Sequence, residues 1–346
     1  MSHRLAIAVR GPERRGRAAA AAGVVGTAIA TRAALAAWCD RYNITPSLRS
    51  PLLPAASIPY TQVTLPLWRN ALRIPRWSGP KVHVVNRSFG NDPNIRVRVT
   101  TPAGPARPRP AVIWLHSGGM ISGSPQFEGP TAGFLARAID AVVIAPDYRL
   151  APEEPFPAAL DDCVNTVKWV LARAEQLGVD PHRIAVAGAS AGGGLTANCV
   201  ARCSDEGIEI SAQALLYPML DDRTALRPCP AAPAWSATSN AFAWSSYLGH
   251  VPHLDPAPRY AAASRREDLG SAPPTWIAVG DIDILHEESR EYAQRLQDAG
   301  VACEFVAVGG MYHAADLLVP WARPVRQLYS SLAEHLRCHL AAPTYP

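Results

Sequence analysis

Residues 184–200 read IAVAGASAGGGLTANCV, and their sense decides the fold. Ile184–Ala187 is a short, solidly apolar run, the mark of a strand buried on both faces. From Gly193 the pattern turns helical. Between them, Gly188-Ala189-Ser190-Ala191-Gly192 must reverse the chain sharply. Small residues are what so tight a turn accepts, and they leave Ser190 at a strained apex, its oxygen exposed and a helix N-terminus behind it. A buried strand feeding straight into a helix is the building unit of a parallel α/β sheet.

The rhythm extends in both directions. Lys81–Asn86 and Ile95–Thr100 alternate in polarity and predict an antiparallel opening pair. Ala111–Leu115 (AVIWL), Ala141–Ala145 (AVVIA), Ala212–Tyr217 (AQALLY), Thr275–Val279 (TWIAV) and Cys303–Val308 (CEFVAV) predict further strands, buried where solidly apolar. Helical spacing links them. Leu160, Cys163, Val164, Val167, Val170 and Leu171 share one helix face; Val325, Leu328, Leu332, Leu336 and Leu340 share another. Eight strands with helical crossovers predict a mostly parallel, doubly wound sheet with helices on both faces.

Composition narrows the function classes. The 346 residues are 48% hydrophobic and 18% charged, enough for a large core. The net charge of +4 belongs to the N-terminus: six arginines and one glutamate give residues 1–32 a charge of +5, and the other 314 residues sum to −1. A body without basic excess cannot track a phosphate backbone, which excludes nucleic acid as a partner. The seven cysteines form no CxxC and no zinc spacing with His, so neither a disulfide framework nor a metal is expected.

Three regions divide the chain. Residues 1–40 are basic and Ala-rich, fitting a secretory signal, an anchor or an extra cap helix. The uncharged run Ala18–Thr31 is too short to span a membrane comfortably. Export, envelope attachment and membrane contact therefore rest on this segment alone, the rest reading as cytoplasmic. Residues 41–80 are Pro-rich and apolar, and residues 81–340 carry the strand–helix rhythm. Within the latter, 227–254 is an insertion whose Trp235, Phe242, Trp244 and Tyr247 are too apolar for an ordinary loop. Together with 41–80 it suggests a cap over the sheet's carboxyl edge, where α/β sheets bind ligands.

Other loops carry candidate chemistry. After AVIWL comes His116-Ser117-Gly118-Gly119, whose glycines let the backbone turn amides outward, as a developing oxyanion requires. The Ala191 amide, next after Ser190, is a further donor. His116 reads as a brace for this loop rather than a base. After TWIAV come Asp281 and Asp283, and after CEFVAV comes His313, so the order Ser, Asp, His of a serine triad is complete. Either aspartate also suits the N-cap of a helix over 284–299.

HSGG, Asp147–Glu153 (DYRLAPE), GASAGG, Gly280–Leu285 with Glu288, and GMYH resemble, in this order over residues 80–340, the hormone-sensitive-lipase-like family of bacterial esterases. The resemblance implies an α/β-hydrolase fold with a helical cap. It places the family's acid on Asp283, its oxyanion donors on Gly118, Gly119 and Ala191, and a structural role on DYRLAPE. This chain departs from the family at Ser117, a glycine there; at Ala189, commonly Asp or Thr; and at Ala314-Ala315, commonly Gly-Phe.

The expectation is a serine carboxylic-ester hydrolase with Ser190, His313 and Asp283 as triad and no cofactor. Its partner is a small ester with a short to medium acyl chain, and Met120 and Trp244 are expected to line the pocket. An acyltransferase or amidase would use the same triad, and a ligand receptor could occupy the same scaffold. Oligomeric state is not legible.

Overall fold

The computed structural model describes residues 33–226, 231–252 and 257–342. The basic segment 1–32, and residues 227–230 and 253–254 of the insertion, lie outside the described residues. The chain divides into two compact units, Met1–Ile44 and Thr45–Pro346. The described part of the first contains a helix over residues 33–41 and the turn that follows.

The second unit is built on eight strands: β1 (Val82–Phe89), β2 (Ile95–Pro102), β3 (Arg109–Leu115), β4 (Val142–Pro146), β5 (Val179–Ala189), β6 (Ala212–Leu216), β7 (Thr275–Gly280) and β8 (Cys303–Val308). They lie in the order β1-β2-β4-β3-β5-β6-β7-β8. β2 is antiparallel to both neighbours, and all other pairs are parallel. Burial follows position in the sheet. Every residue of β3, β4, β6 and β7 is buried, whereas edge strand β1 is mostly exposed.

The longer helices are α1 (Leu65–Ala71), α2 (Gly129–Ile139), α3 (Ala158–Ala172), α4 (Ala191–Asp205), α5 (Ala237–Leu248), α6 (His286–Asp298) and α7 (Arg323–His339). α3 packs on α4 and α2 on α7, one pair to each face of the sheet. Leu160, Val164 and Val167 of α3 meet Ile113, Leu115, Leu195 and Cys199 in the main core. α4 runs so close to β3 that a Cβ on Gly192 would stand 2.0 Å from the Leu115 carbonyl oxygen. Only glycine fits there, and that contact fixes where the helix, and Ser190 before it, sit over the sheet.

Register brings the loops together. β3 and β5 pair Leu115 with Gly188, so the HSGG loop leaves the sheet beside the turn that carries Ser190. β7 and β8 pair Gly280 with Val308, which sets the Asp281–Asp283 loop against Gly309–His313. All four loops leave from the carboxyl ends of parallel strands.

Two further segments cover that edge. Tyr60 donates its amide to Ser239 Oγ, and its ring lies 5.3 Å from that of Trp235. The Ala234 amide donates to Ser57 Oγ. Residues 51–72 and 234–248 thus join one another. They also reach the loops below: Arg69 donates to the carbonyls of Ile121 and Ala151 and pairs with Glu153.

Candidate active site

Ser190 sits at φ +55°, ψ −119°, a left-handed conformation costly for any residue with a side chain. Two backbone bonds hold it there, from its amide to the Leu216 carbonyl and from the Met219 amide to its own carbonyl. The first intrahelical bond of α4 runs from the Gly194 amide to the Ser190 carbonyl. The amides of Ala191 to Gly193 therefore have no partner within the helix and form its positive end.

His313 Nε2 stands 2.9 Å from Ser190 Oγ, and His313 Nδ1 stands 2.7 Å from Asp283 Oδ2. Because a carboxylate only accepts, Nδ1 carries the proton and Nε2 presents its lone pair to the serine hydroxyl. The other oxygen, Asp283 Oδ1, accepts the Leu285 amide at 3.0 Å, which restrains the carboxylate's rotation. All three side chains are buried. Asp281, the alternative acid, instead accepts the Gly310 amide at 2.7 Å and braces the loop that holds His313. The same loop is fastened from outside by Thr45, which donates to the Gly309 and Gly310 carbonyls, and by Tyr312, which donates to the Leu48 carbonyl.

The HSGG loop is set by its carbonyls. The Gly118 oxygen accepts the Ile121 amide and both the amide and hydroxyl of Ser122, so the Gly119 amide, opposed to it across a trans peptide, points away from that turn. Gly119 has φ +66°, and a Cβ on it would stand 2.8 Å from Trp235 Cη2. His116 is not part of the reacting set. It is buried, stacks on Tyr148 at 4.0 Å, and burial lowers its pKa to about 4, so it is neutral. The DYRLAPE residues likewise tie structure: Arg149 pairs with Asp162, and Glu153 with Arg69.

The alpha/beta hydrolase fold family matches residues 112–317, well over half the chain. The chain belongs to that family. Its likeness to hormone-sensitive-lipase-like esterases holds among curated proteins. Esterase LipI of Mycobacterium tuberculosis is 38% identical over 200 residues, 56% of this chain and 62% of that protein. The chain thus spans under two thirds of LipI. Carboxylesterase NlhH, from the same species, is 32% identical over 260 residues, 70% of this chain and 78% of that one. Among solved structures, a bacterial heroin esterase has a TM-score of 0.78 at 32% identity, covering 87% of this chain and 99% of that chain. Esterase LipW of Mycobacterium marinum has a TM-score of 0.76 at 29% identity, covering 87% and 97%.

Several residues of this family member's site escaped the sequence reading. Glu128 is buried, and its Oε1 accepts the Ser117 amide and hydroxyl while Oε2 accepts Trp114 Nε1. Burial raises its pKa, yet all three partners are donors, a set that suits the carboxylate. The Ser117 hydroxyl thus adds a second bond to the carboxylate that anchors the loop. Near His313, the Tyr217 ring lies edge-on at 4.8 Å, and Tyr217 and Tyr329 both donate to the buried Asp316, whose pKa burial raises.

The two expected pocket residues, Met120 and Trp244, lie at different distances from the reacting groups. Trp244 is buried and packs on Tyr247 with ring centroids 6.0 Å apart, and no ring contact among the described residues joins it to His313. Helix α5 buries Asn240, Ala243, Trp244 and Tyr247 along one face, and that packing claims the indole. Trp235, just before the helix, takes the place beside the site, its ring 5.7 Å from His313 and against Gly119. Met120 is buried next to the glycines at φ +61°, its carbonyl accepting the Ala151 amide.

Proposed function

We propose that the protein is a carboxylic-ester hydrolase that works through an acyl-enzyme on Ser190. The observation that carries this reading is the continuous chain Ser190 Oγ–His313–Asp283, at 2.9 and 2.7 Å, in a tautomer ready to take the serine proton. Oγ attacks the ester carbonyl as Nε2 accepts its proton, and Asp283 stabilises the imidazolium that forms. The negative oxygen of the tetrahedral intermediate is received by the amides of Gly118, Gly119 and Ala191, the last aided by the positive end of α4. The alcohol leaves with the proton from His313, and water repeats the sequence on the acyl-enzyme.

The names of the relatives support ester hydrolysis over the amidase or receptor alternatives. The aromatic wall made by Trp235 supports small substrates with short to medium acyl chains. Labelling with a fluorophosphonate tests the nucleophile. The adduct is expected on the peptide bearing Ser190 and is expected to vanish in Ser190→Ala and weaken strongly in His313→Ala. An adduct on another residue would remove the proposal.

A further inference from the structure

Between Thr45 and Asn91 the chain has no Asp or Glu and six basic residues. The same stretch turns large apolar side chains to water: Val63 is 87% exposed, Leu67 58%, Ile74 61% and Trp77 76%. Single exposed apolar residues are ordinary, but these follow a pattern. Leu65, Trp68 and Leu72 pack inward from α1. At about 100° per residue, Val63 and Leu67 fall on the opposite, outer side, and Ile74 follows just past the helix end. The segment that covers the site is thus apolar on both faces.

A second feature adjoins it. A cavity of about 310 Å³ is walled by Pro130, Phe134, Pro320 and Val325, with Arg76 and Arg326 among its lining. Trp77 follows Arg76 in the chain and Trp321 follows Pro320, so each of two cavity-lining residues has an exposed tryptophan as its neighbour in sequence, 76% and 69% exposed. Its one acidic wall residue, Asp316, is only 5% exposed and holds the hydroxyls of Tyr217 and Tyr329. Arg323 and Arg326 stand in the first turn of the 17-residue α7, which has no acid there. Cations at a helix's positive end are unfavourable unless an anion joins them. Arg73 lies close enough to Glu153 to help lower its pKa, and Arg76 stacks over the Phe127 ring at 5.0 Å, whereas no ion pair among the described residues joins Arg76, Arg323 or Arg326 to a carboxylate.

We propose that the outer side of residues 63–77, with Val63, Leu67, Ile74 and Trp77, and the rim of the cavity shared by Arg76 and Arg326, with Trp321 and Arg323, dock the protein on an anionic phospholipid bilayer. Apolar side chains enter the boundary between headgroups and acyl chains, where indoles are favoured. The guanidinium groups take lipid phosphates, and the cavity offers room for an apolar chain between them. No described helix is long and apolar enough to cross a membrane, so the contact is peripheral. The sequence reading confined membrane contact to residues 1–40; this face is a separate one.

The test mixes full-length protein with vesicles of phosphatidylcholine alone or with phosphatidylglycerol added, and reads co-sedimentation and tryptophan emission. Binding is expected only to the anionic vesicles, weakening as salt is raised. Trp77→Ala/Trp321→Ala should lower partition roughly tenfold, and each arginine of an Arg323→Gln/Arg326→Gln variant about fivefold. Turnover of soluble 4-nitrophenyl acetate serves as the check of fold and is expected to be unchanged in both variants. Wild-type binding by both variants would assign the contact to residues 1–40 and overturn the proposal. So would equal binding to neutral vesicles, no binding at all, or a lipid-independent dimer that the same variants dissolve.

Discussion

Glu128 Oε1 accepts the amide of Ser117 at 2.6 Å and its hydroxyl at 2.5 Å. A buried carboxylate, not a further glycine, therefore sets the start of the loop that carries Gly118 and Gly119. Glutamine cannot replace it without loss, because one of its two ends donates and all three partners donate as well. In Glu128→Gln, kcat is expected to fall about tenfold to a hundredfold with KM little changed, the mark of an interaction made in the transition state. Ser117→Gly keeps the amide bond and should lose only a few-fold. Steady-state kinetics on a soluble ester, with melting temperatures to verify folding, decides it; an equal rise in KM would mean that Glu128 shapes substrate binding instead.

Asp283 holds the His313 tautomer through the 2.7 Å contact at Nδ1. Asp283→Asn can turn its amide nitrogen to that position and favour the wrong tautomer, so kcat should fall by about four orders of magnitude. Asp281→Asn loses only a brace on the Gly310 amide and should keep most activity. The reverse ranking would exchange the roles of the two aspartates.

Gly119 and Trp235 occupy one contact. Gly119→Ala would place a Cβ 2.8 Å from the indole at φ +66°, so a loss on the order of 100-fold in kcat is expected with the fold retained. Trp235→Ala should open the wall beside His313 and move the acyl-length preference toward longer chains, whereas Trp244→Ala should cost stability through the core, about 3–5 kcal/mol. Turnover across an acyl series and denaturant midpoints for both variants separate the two tryptophans. An unchanged preference in Trp235→Ala would take that residue out of the pocket.

Buried histidines set the acid limit of stability. Burial lowers the folded pKa of His335, like that of His116, to about 4, against the ordinary 6.5. As pH falls from 6.5 to 4 the unfolded chain takes up protons that the folded chain refuses, so stability falls through that window. His335→Gln should flatten the slope by up to about 1.4 kcal/mol per pH unit, measured by urea midpoints. Glu288 works at the other end, its folded pKa raised to about 8 by burial. Stability is lost as pH rises from 4.5 to 8, and Glu288→Gln should gain on wild type across that range. A pH-independent difference in melting temperature would contradict either statement.

The eight strands were legible because those buried on both faces are unbroken apolar runs, and the four site loops because each follows such a run. β5 begins earlier than its apolar run, at Val179, since Asp180 to Arg183 look like a loop until the pairing of Val179 with Arg109 is known. Glu128 was invisible for a similar reason. Nothing in SPQFEG marks a glutamate as buried; only the packing of α2 brings it to Trp114. The choice between Trp235 and Trp244 was partly open to reading, because Asn240, Ala243, Trp244 and Tyr247 keep the spacing of one buried helix face. Composition alone, which marked the whole segment as apolar, could not separate core from pocket.

The proposed acyl-enzyme on Ser190 is tested most directly by hydrolysis of 4-nitrophenyl esters from acetate to palmitate, wild type beside Ser190→Ala. Turnover that peaks at short or medium chains and vanishes in the variant is the expected result. Folded wild-type protein with no turnover at any chain length, or a Ser190→Ala variant as active as wild type, would contradict it.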